Sequence, residues 1–254
     1  MGNILSVNNL SIQLSERVLV RNISFTVNQG DVVLLSGANG IGKSTLLKSI
    51  LQLETHGKKI NGEINVHGFG NVLSLDESEL QRLRSSIAYI QQRDDYAQMG
   101  SVQVKDIINE CGDAFNGRTL TDSEINDLID EWIPRRDNNS RIFDAKTKPA
   151  KFSGGEQRLL SVLSVIATRP NANLMIIDEP LNNLDFINAR NISNIINRVI
   201  KANPNMGVLM ISHCRIFPFI TREIILSSDG ITESSNPYFC HSCFGNPDLE
   251  GYYK

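Results

Sequence analysis

The segment Gly37-Ala38-Asn39-Gly40-Ile41-Gly42-Lys43-Ser44-Thr45 fits the pattern G-x-x-x-x-G-K-[ST], a loop suited to holding phosphate. Its glycines let backbone N–H groups turn inward on an anion, and a helix beginning near Lys43 would add the positive end of its dipole. At this spacing Lys43 would reach the β- and γ-phosphates of a nucleotide, Ser44 would ligate Mg²⁺, and Thr45 would touch the α-phosphate. A second segment, Leu174-Met175-Ile176-Ile177-Asp178-Glu179, is an apolar run ending in two carboxylates. Successive strand residues point to opposite sides, so the two need not share a task. Asp178 suits the metal's water shell, and Glu179 suits the orienting of an attacking water.

Elements of alternating type must position these groups. Asp31 to Ser36 is an apolar strand without alternation, the mark of burial on both faces, and a helix from Lys43 to Leu51 follows the loop. Ahead of it, Ile4 to Val7, the alternating Leu10, Ile12 and Leu14, and Ile23, Phe25 and Val27 predict a small antiparallel sheet. Ile60 to Val66 and Ser86 to Ile90 read as further strands, with Glu77 to Arg84 a polar helix between them. From Gln92 to Lys151 the chain is polar and interrupted by Gly112, Gly117 and Pro134, with helices expected at Val104 to Cys111 and Asp122 to Ile133. Thr121 or Asp122 would cap the second of these. Strand and helix then alternate again: helix Gly155 to Arg169, strand Leu174 to Asp178, helix Phe186 to Ala202, and strands Val208 to Ser212 and Ile224 to Ser227. That order predicts an α/β fold with a parallel sheet covered on both faces.

Phe152-Ser153-Gly154-Gly155-Glu156-Gln157 opens the helix before the carboxylate strand, and with it the chain resembles the ATP-binding-cassette (ABC) ATPases from about Ile4 to Ile231. The resemblance implies a P-loop NTPase (RecA-like) parallel sheet core, an antiparallel β subdomain and an inserted α-helical subdomain at about 93–152. Together these would form one ATPase domain over 1–233 and leave a tail over 234–254. It also implies ATP as substrate, Mg²⁺ as cofactor, and a second helix N-terminus, that of Ser153, Gly154 and Gly155, closing on the γ-phosphate held by an opposite subunit. By the same resemblance Gln92, rather than Gln91, looks like the glutamine that senses Mg²⁺ and the attacking water. Asp185 looks like the aspartate that contacts the partner subunit, and His213, after Ile211-Ser212, like the histidine that contacts the γ-phosphate. Within the Phe152–Gln157 segment two positions depart from the family pattern: Phe152 stands in place of Leu and Glu156 in place of Gln. Leu14 occupies a place where many members put an aromatic ring on adenine, which implies weaker base selectivity.

Composition bounds the remaining readings. Lys and Arg total 25 against 28 Asp and Glu, a formal charge of -3, so no global basic field draws nucleic acid or anionic lipid. Apolar runs such as Leu174 to Ile177 and Val208 to Ile211 fall far short of the roughly 18 residues that cross a bilayer. The N-terminus lacks the pattern of a signal peptide, and four cysteines in 254 residues are too few for a disulfide scaffold, so a cytoplasmic setting is expected. Met1-Gly2-Asn3-Ile4-Leu5-Ser6 fits an N-myristoylation pattern but runs into strand material. The leading expectation is the nucleotide-binding subunit of a transporter, peripheral on the inner face of the membrane through a separate transmembrane permease subunit. It would pair with itself or with another ABC subunit. Gln92 to about Glu110, with Tyr96, Met99 and Val102, would be its coupling face. A soluble ATPase of an assembly machinery, such as iron–sulfur-cluster assembly, is the alternative. Cys240-His241-Ser242-Cys243 offers a C-x-x-C with a histidine, but Cys111 and Cys214 do not supply an obvious second pair for zinc.

Overall fold

The computed structural model describes residues 2–92, 96, 99–110, 118–213, 217 and 219–234. In chain order its first elements are β1 (Asn3–Leu14), β2 (Arg17–Asn28), β3 (Val32–Gly37), α1 (Lys43–Ile50), β4 (Lys58–Val66), β5 (Gly70–Asn71) and α2 (Glu77–Ser86). Then come β6 (Ile87–Ile90), α3 (Val104–Glu110), α4 (Asp122–Trp132), α5 (Gly154–Thr168), β7 (Leu174–Asp178), α6 (Phe186–Ala202), β8 (Gly207–Ile211), β9 (Arg222–Ser227) and β10 (Gly230–Ser234). The chain forms two compact units, one from Met1–Leu80 with the described residues of Asn205–Lys254, the other from Gln81–Pro204.

The first unit holds an antiparallel sheet of order β2-β1-β4-β5. Along β1 the buried residues change phase, from Leu5 and Val7 to Leu10 and Ile12. A register shift between Val7 and Leu10 accounts for the change, with Asn9 in the left-handed region at φ 47. A bulge of this kind inserts an extra residue and turns the following side chains to the other face. The same unit carries strands in the order β10-β9-β3-β8, with β3 parallel to both β8 and β9 and β10 antiparallel to β9. Val32 to Leu35 and Val208 to Ile211 are all buried, as expected of parallel strands with both faces covered. β10, which follows a Ser228-Asp229 turn, was not signalled by its half-polar sequence Gly-Ile-Thr-Glu-Ser.

The second unit contains the parallel pair β6 and β7, in register from Ile87↔Leu174 to Ile90↔Ile177. Its central helix is α5, whose Leu159, Leu160, Val162, Leu163 and Ile166 are buried and which touches β6, α3, α4 and α6. α6 buries Ala189, Ile192, Ile196 and Val199 at helical spacing. α4 begins at a complete capping box: the Thr121 hydroxyl accepts from the Glu124 N–H, and the Glu124 carboxylate accepts from the Thr121 N–H at 2.8 Å. Both α3 and α4 fall inside the span read as a helical insert. Tyr96, expected on a coupling face, is 6% exposed, whereas Met99 is 39% exposed. Cys111, Cys214, Cys240, His241 and Cys243 lie outside the described residues.

Candidate functional site

In the first unit the phosphate loop leaves the C-terminal end of β3. Gly37 has φ +137, and a Cβ there would stand 2.3 Å from the Leu226 carbonyl oxygen, so β9 admits only glycine at the start of the loop. Gly42, in the left-handed region at φ 108, is the N-cap of α1, with Lys43, Ser44 and Thr45 in the first turn. Lys43 is buried, and its Nζ donates to the carbonyls of Gly37 at 2.8 Å and Ala38 at 3.0 Å. Its charge is thus held at the start of the loop Gly37-Ala38-Asn39-Gly40-Ile41, against the first two carbonyls. Arg17, from the β1–β2 hairpin, donates to the Gly40 carbonyl at 3.2 Å. β8 pairs with β3 so that Ile211 lies opposite Leu35. Gly37 and His213 each stand two residues past that pair, so His213 leaves the sheet at the level of Gly37, and it is exposed there. Ligands of open α/β sheets bind at such strand ends.

The second unit repeats this arrangement with different chemistry. Ile90 pairs with Ile177, and Gln92 and Glu179 each stand two residues beyond. That common offset brings them together: the Gln92 amide Nε2 donates to Glu179 Oε2 at 2.9 Å. Asn182 Nδ2 donates to the same oxygen at 3.0 Å. Asp178, at the end of β7, is 1% exposed. Glu179 takes φ 47, a left-handed conformation uncommon for a residue with a side chain and a mark of stored strain at functional sites.

Ser153 and Gly154 are exposed at the N-terminus of α5, and Gly155 is buried. The Ser153 hydroxyl accepts from the Glu156 N–H at 3.3 Å, and the Glu156 carboxylate accepts from the Ser153 N–H at 2.9 Å. Glu156 also meets Arg136 at 2.9 Å. The glutamate that departs from the family pattern is therefore the reciprocal half of a capping box. Phe152, the other departure, stacks on Phe143 with ring centroids 5.2 Å apart. Gly155 sits at a close approach: a Cβ would lie 2.3 Å from Asn188 Nδ2 and displace that side chain. Asn188 in turn donates to the Asp185 carboxylate through its N–H at 2.9 Å and its amide at 2.6 Å. The Asn188 backbone donor, then its side chain, hold the Asp185 carboxyl below the usual range. Gly155, Asn188 and Asp185, the N-cap of α6, are packed together.

Two contributors escape motif reading. Asn182 lies in a turn where any small polar residue would look alike. Arg158 directly follows the Phe152–Gln157 segment, and its guanidinium donates to the carbonyls of Gln91, Asp178, Glu179 and Pro180. Among the described residues no group of three or more His, Cys, Asp or Glu is placed to hold a metal. The hydroxyl of Ser44 and the carboxylate of Asp178 are nonetheless hard oxygen donors of the kind Mg²⁺ takes. No helix among the described residues is long and apolar enough to cross a membrane.

The profile of the ABC transporter family matches residues 20–182. The chain belongs to that family. It is accordingly an ATP-binding ABC ATPase. The energy-coupling factor transporter ATP-binding protein EcfA of Pediococcus pentosaceus is 28% identical over 93% of the chain and 80% of its own length. The dipeptide transport ATP-binding protein DppF of Lactococcus lactis is 31% identical over 76% of the chain and 60% of its own length. Among solved structures, cbiO1 from Clostridium perfringens, part of the ABC transporter complex cbiONQ, superposes with TM-score 0.70 at 19% identity, covering 98% of this chain and 93% of that one. A dimeric bacterial ABC transporter cassette superposes with TM-score 0.70 at 18% identity, covering 93% of this chain and 100% of that one. At that identity the likeness establishes the fold: a P-loop cassette of α/β class, as the sequence resemblance implied.

Proposed function

We propose that this ABC ATPase powers transport of a solute through a separate transmembrane permease subunit, sitting on the inner face of the membrane by way of that subunit. Residues 1–233 would form the ATPase domain, with 93–152 as its helical insert and 234–254 as a tail. The observation that carries the reading is the convergence on Glu179, whose carboxylate receives the Gln92 amide from the strand-end loop beside it. Relatives named as transporter ATP-binding proteins support the transport role over the soluble assembly alternative.

Each copy contributes half of two sites. Lys43 exchanges its loop carbonyls for β- and γ-phosphate oxygens, with the amides from Gly37 to Gly42 around the phosphates and Thr45 at the α-phosphate. Magnesium, when bound, supplies charge to the β- and γ-phosphate oxygens, and Ser44, Asp178 and Gln92 are the residues that would hold it. Glu179 orients the attacking water and His213 contacts the γ-phosphate. Ser153, with the amides of Gly154 and Gly155, caps the γ-phosphate held by a second copy or a paired ABC subunit, and Asp185 contacts that same partner. Catalysis here is positioning plus charge neutralisation.

The test is purification of the tagged chain from detergent-solubilised native membranes, with ATP present and Glu179→Gln used to hold the closed state. A stoichiometric polytopic membrane protein supports the proposal. Soluble partners alone would transfer the reading to an assembly ATPase.

A further inference from the structure

Arg158 is 8% exposed, and its guanidinium donates to four main-chain oxygens. Nε donates to the Pro180 carbonyl at 2.9 Å, Nη2 to Glu179 at 3.2 Å and to Asp178 at 3.4 Å, and Nη1 to Gln91. Three of these carbonyls belong to consecutive residues. Consecutive carbonyls of an extended strand alternate in direction. Here the left-handed backbone of Glu179, at φ 47, breaks the alternation and lets all three face one guanidinium. The fourth carbonyl belongs to the residue before Gln92, whose amide bonds the Glu179 carboxylate. One planar, permanently charged fork with five donors thereby fixes the backbone under both members of the Gln92–Glu179 pair. An ammonium offers no such geometry.

We infer that Arg158 is the positioning residue that holds Glu179 in its strained backbone conformation and ties the turnover set by that carboxylate to the position of the Gln91–Gln92 segment. The inference rests on the proposed reading of Glu179 as the group that orients water. Arg158 touches no substrate in this scheme. It acts through the main chain of two residues that do. A displacement of the Gln91–Gln92 segment by a bound membrane partner would pull on the same guanidinium that carries the Asp178, Glu179 and Pro180 carbonyls, so the partner's conformation would reach the carboxylate without passing through the nucleotide.

The experiment is a double-mutant cycle of Arg158→Lys with Glu179→Gln, reading kcat, KM for ATP and thermal midpoint for the full chain in complex with whatever membrane subunit copurifies. Arg158→Lys is expected to lower kcat at least tenfold with KM within threefold of wild type. Added to Glu179→Gln it should lower the residual rate less than twofold, because the carboxylate it positions is already gone. A lysine variant that turns over within twofold of wild type overturns the inference. So does one whose loss is the same in both backgrounds, or one that lowers only the thermal midpoint, since those are marks of general packing. If the lysine variant does not fold, Arg158→Gln, which keeps one amide donor, is judged by the same criteria. Wild-type turnover in Glu179→Gln alone would instead remove the underlying reading, so the two failures are distinguishable.

Discussion

Glu179 gathers most of the chemistry at the residue scale: its Oε2 accepts from both Gln92 and Asn182, and its backbone is left-handed. Removing the Asn182 amide by Asn182→Ala leaves the Gln92 donor in place. It is expected to lower kcat about ten- to a hundredfold with little change in nucleotide affinity, the scale of a lost hydrogen bond to a charged group. An unchanged kcat would assign Asn182 to the turn alone. Leu14, 41% exposed at the end of β1, makes a second residue-scale prediction. Replacing it by Tyr should tighten ATP about five- to tenfold, the roughly 1 kcal/mol that aromatic stacking on a base supplies. Comparison of ATP and GTP affinities by titration calorimetry checks this, and a wild type that already rejects GTP strongly would contradict it. The Gly37–Thr45 loop and the Asp178–Glu179 pair stand out in the sequence because their spacing is dictated by phosphate and metal geometry, whereas Gln92, Ser153, Asp185 and His213 needed the family resemblance. Asn182 and Arg158 were not legible: Asn182 reaches the Glu179 carboxylate from a turn, and Arg158 binds main-chain carbonyls, and no local pattern encodes either contact.

At the scale of elements, two capping boxes share one design. Glu124 on α4 lies with its pKa brought down to about 2, chiefly by the Thr121 backbone N–H and next by the Arg118 side chain. A carboxyl depressed in the folded state contributes stability above its unfolded pKa of 4.5, and that contribution is lost as pH falls toward about 2. Asp130, held down by Arg141, and Asp122, held down by Lys146, act in the same direction. The difference in thermal midpoint between wild type and Glu124→Gln should therefore shrink as pH falls from about 4.5 to 2, and a constant difference would contradict this assignment. On α5, Gly155→Ala would force Asn188 off the Asp185 carboxylate, for a Cβ would fall 2.3 Å from its amide nitrogen. Loss of that cap bond costs about 1 kcal/mol, or roughly 2–4 °C in thermal midpoint for a protein of this size. Asn188→Ala should make the glycine substitution nearly silent, because it removes the clash. Strand and helix positions followed from periodicity, as in β7 and α6. β10 was missed because its five residues carry no alternation, and the phase change in β1 because a bulge at Asn9 leaves only an asparagine as its mark.

For the whole molecule, the phosphate cradle with His213 belongs to one unit, and Gln92, Ser153, Asp178, Glu179 and Asp185 belong to the other. In the proposed scheme neither copy completes a site without a partner, so association should depend on nucleotide. Sedimentation of Glu179→Gln, alone or mixed with a paired ABC subunit, is expected to give a dimer with ATP and Mg²⁺ and monomers with ADP. Ser153→Asp, which sets a negative charge against the γ-phosphate, should abolish the ATP-dependent species. The most direct measurement is steady-state ATP hydrolysis by the complex purified with its membrane partner, wild type against Glu179→Gln. A fall in kcat of about a hundredfold or more, with ATP still bound, is the predicted result, on the scale a positioned general base contributes. Hydrolysis in the variant within twofold of wild type would contradict the assignment of Glu179 and the mechanism built on it.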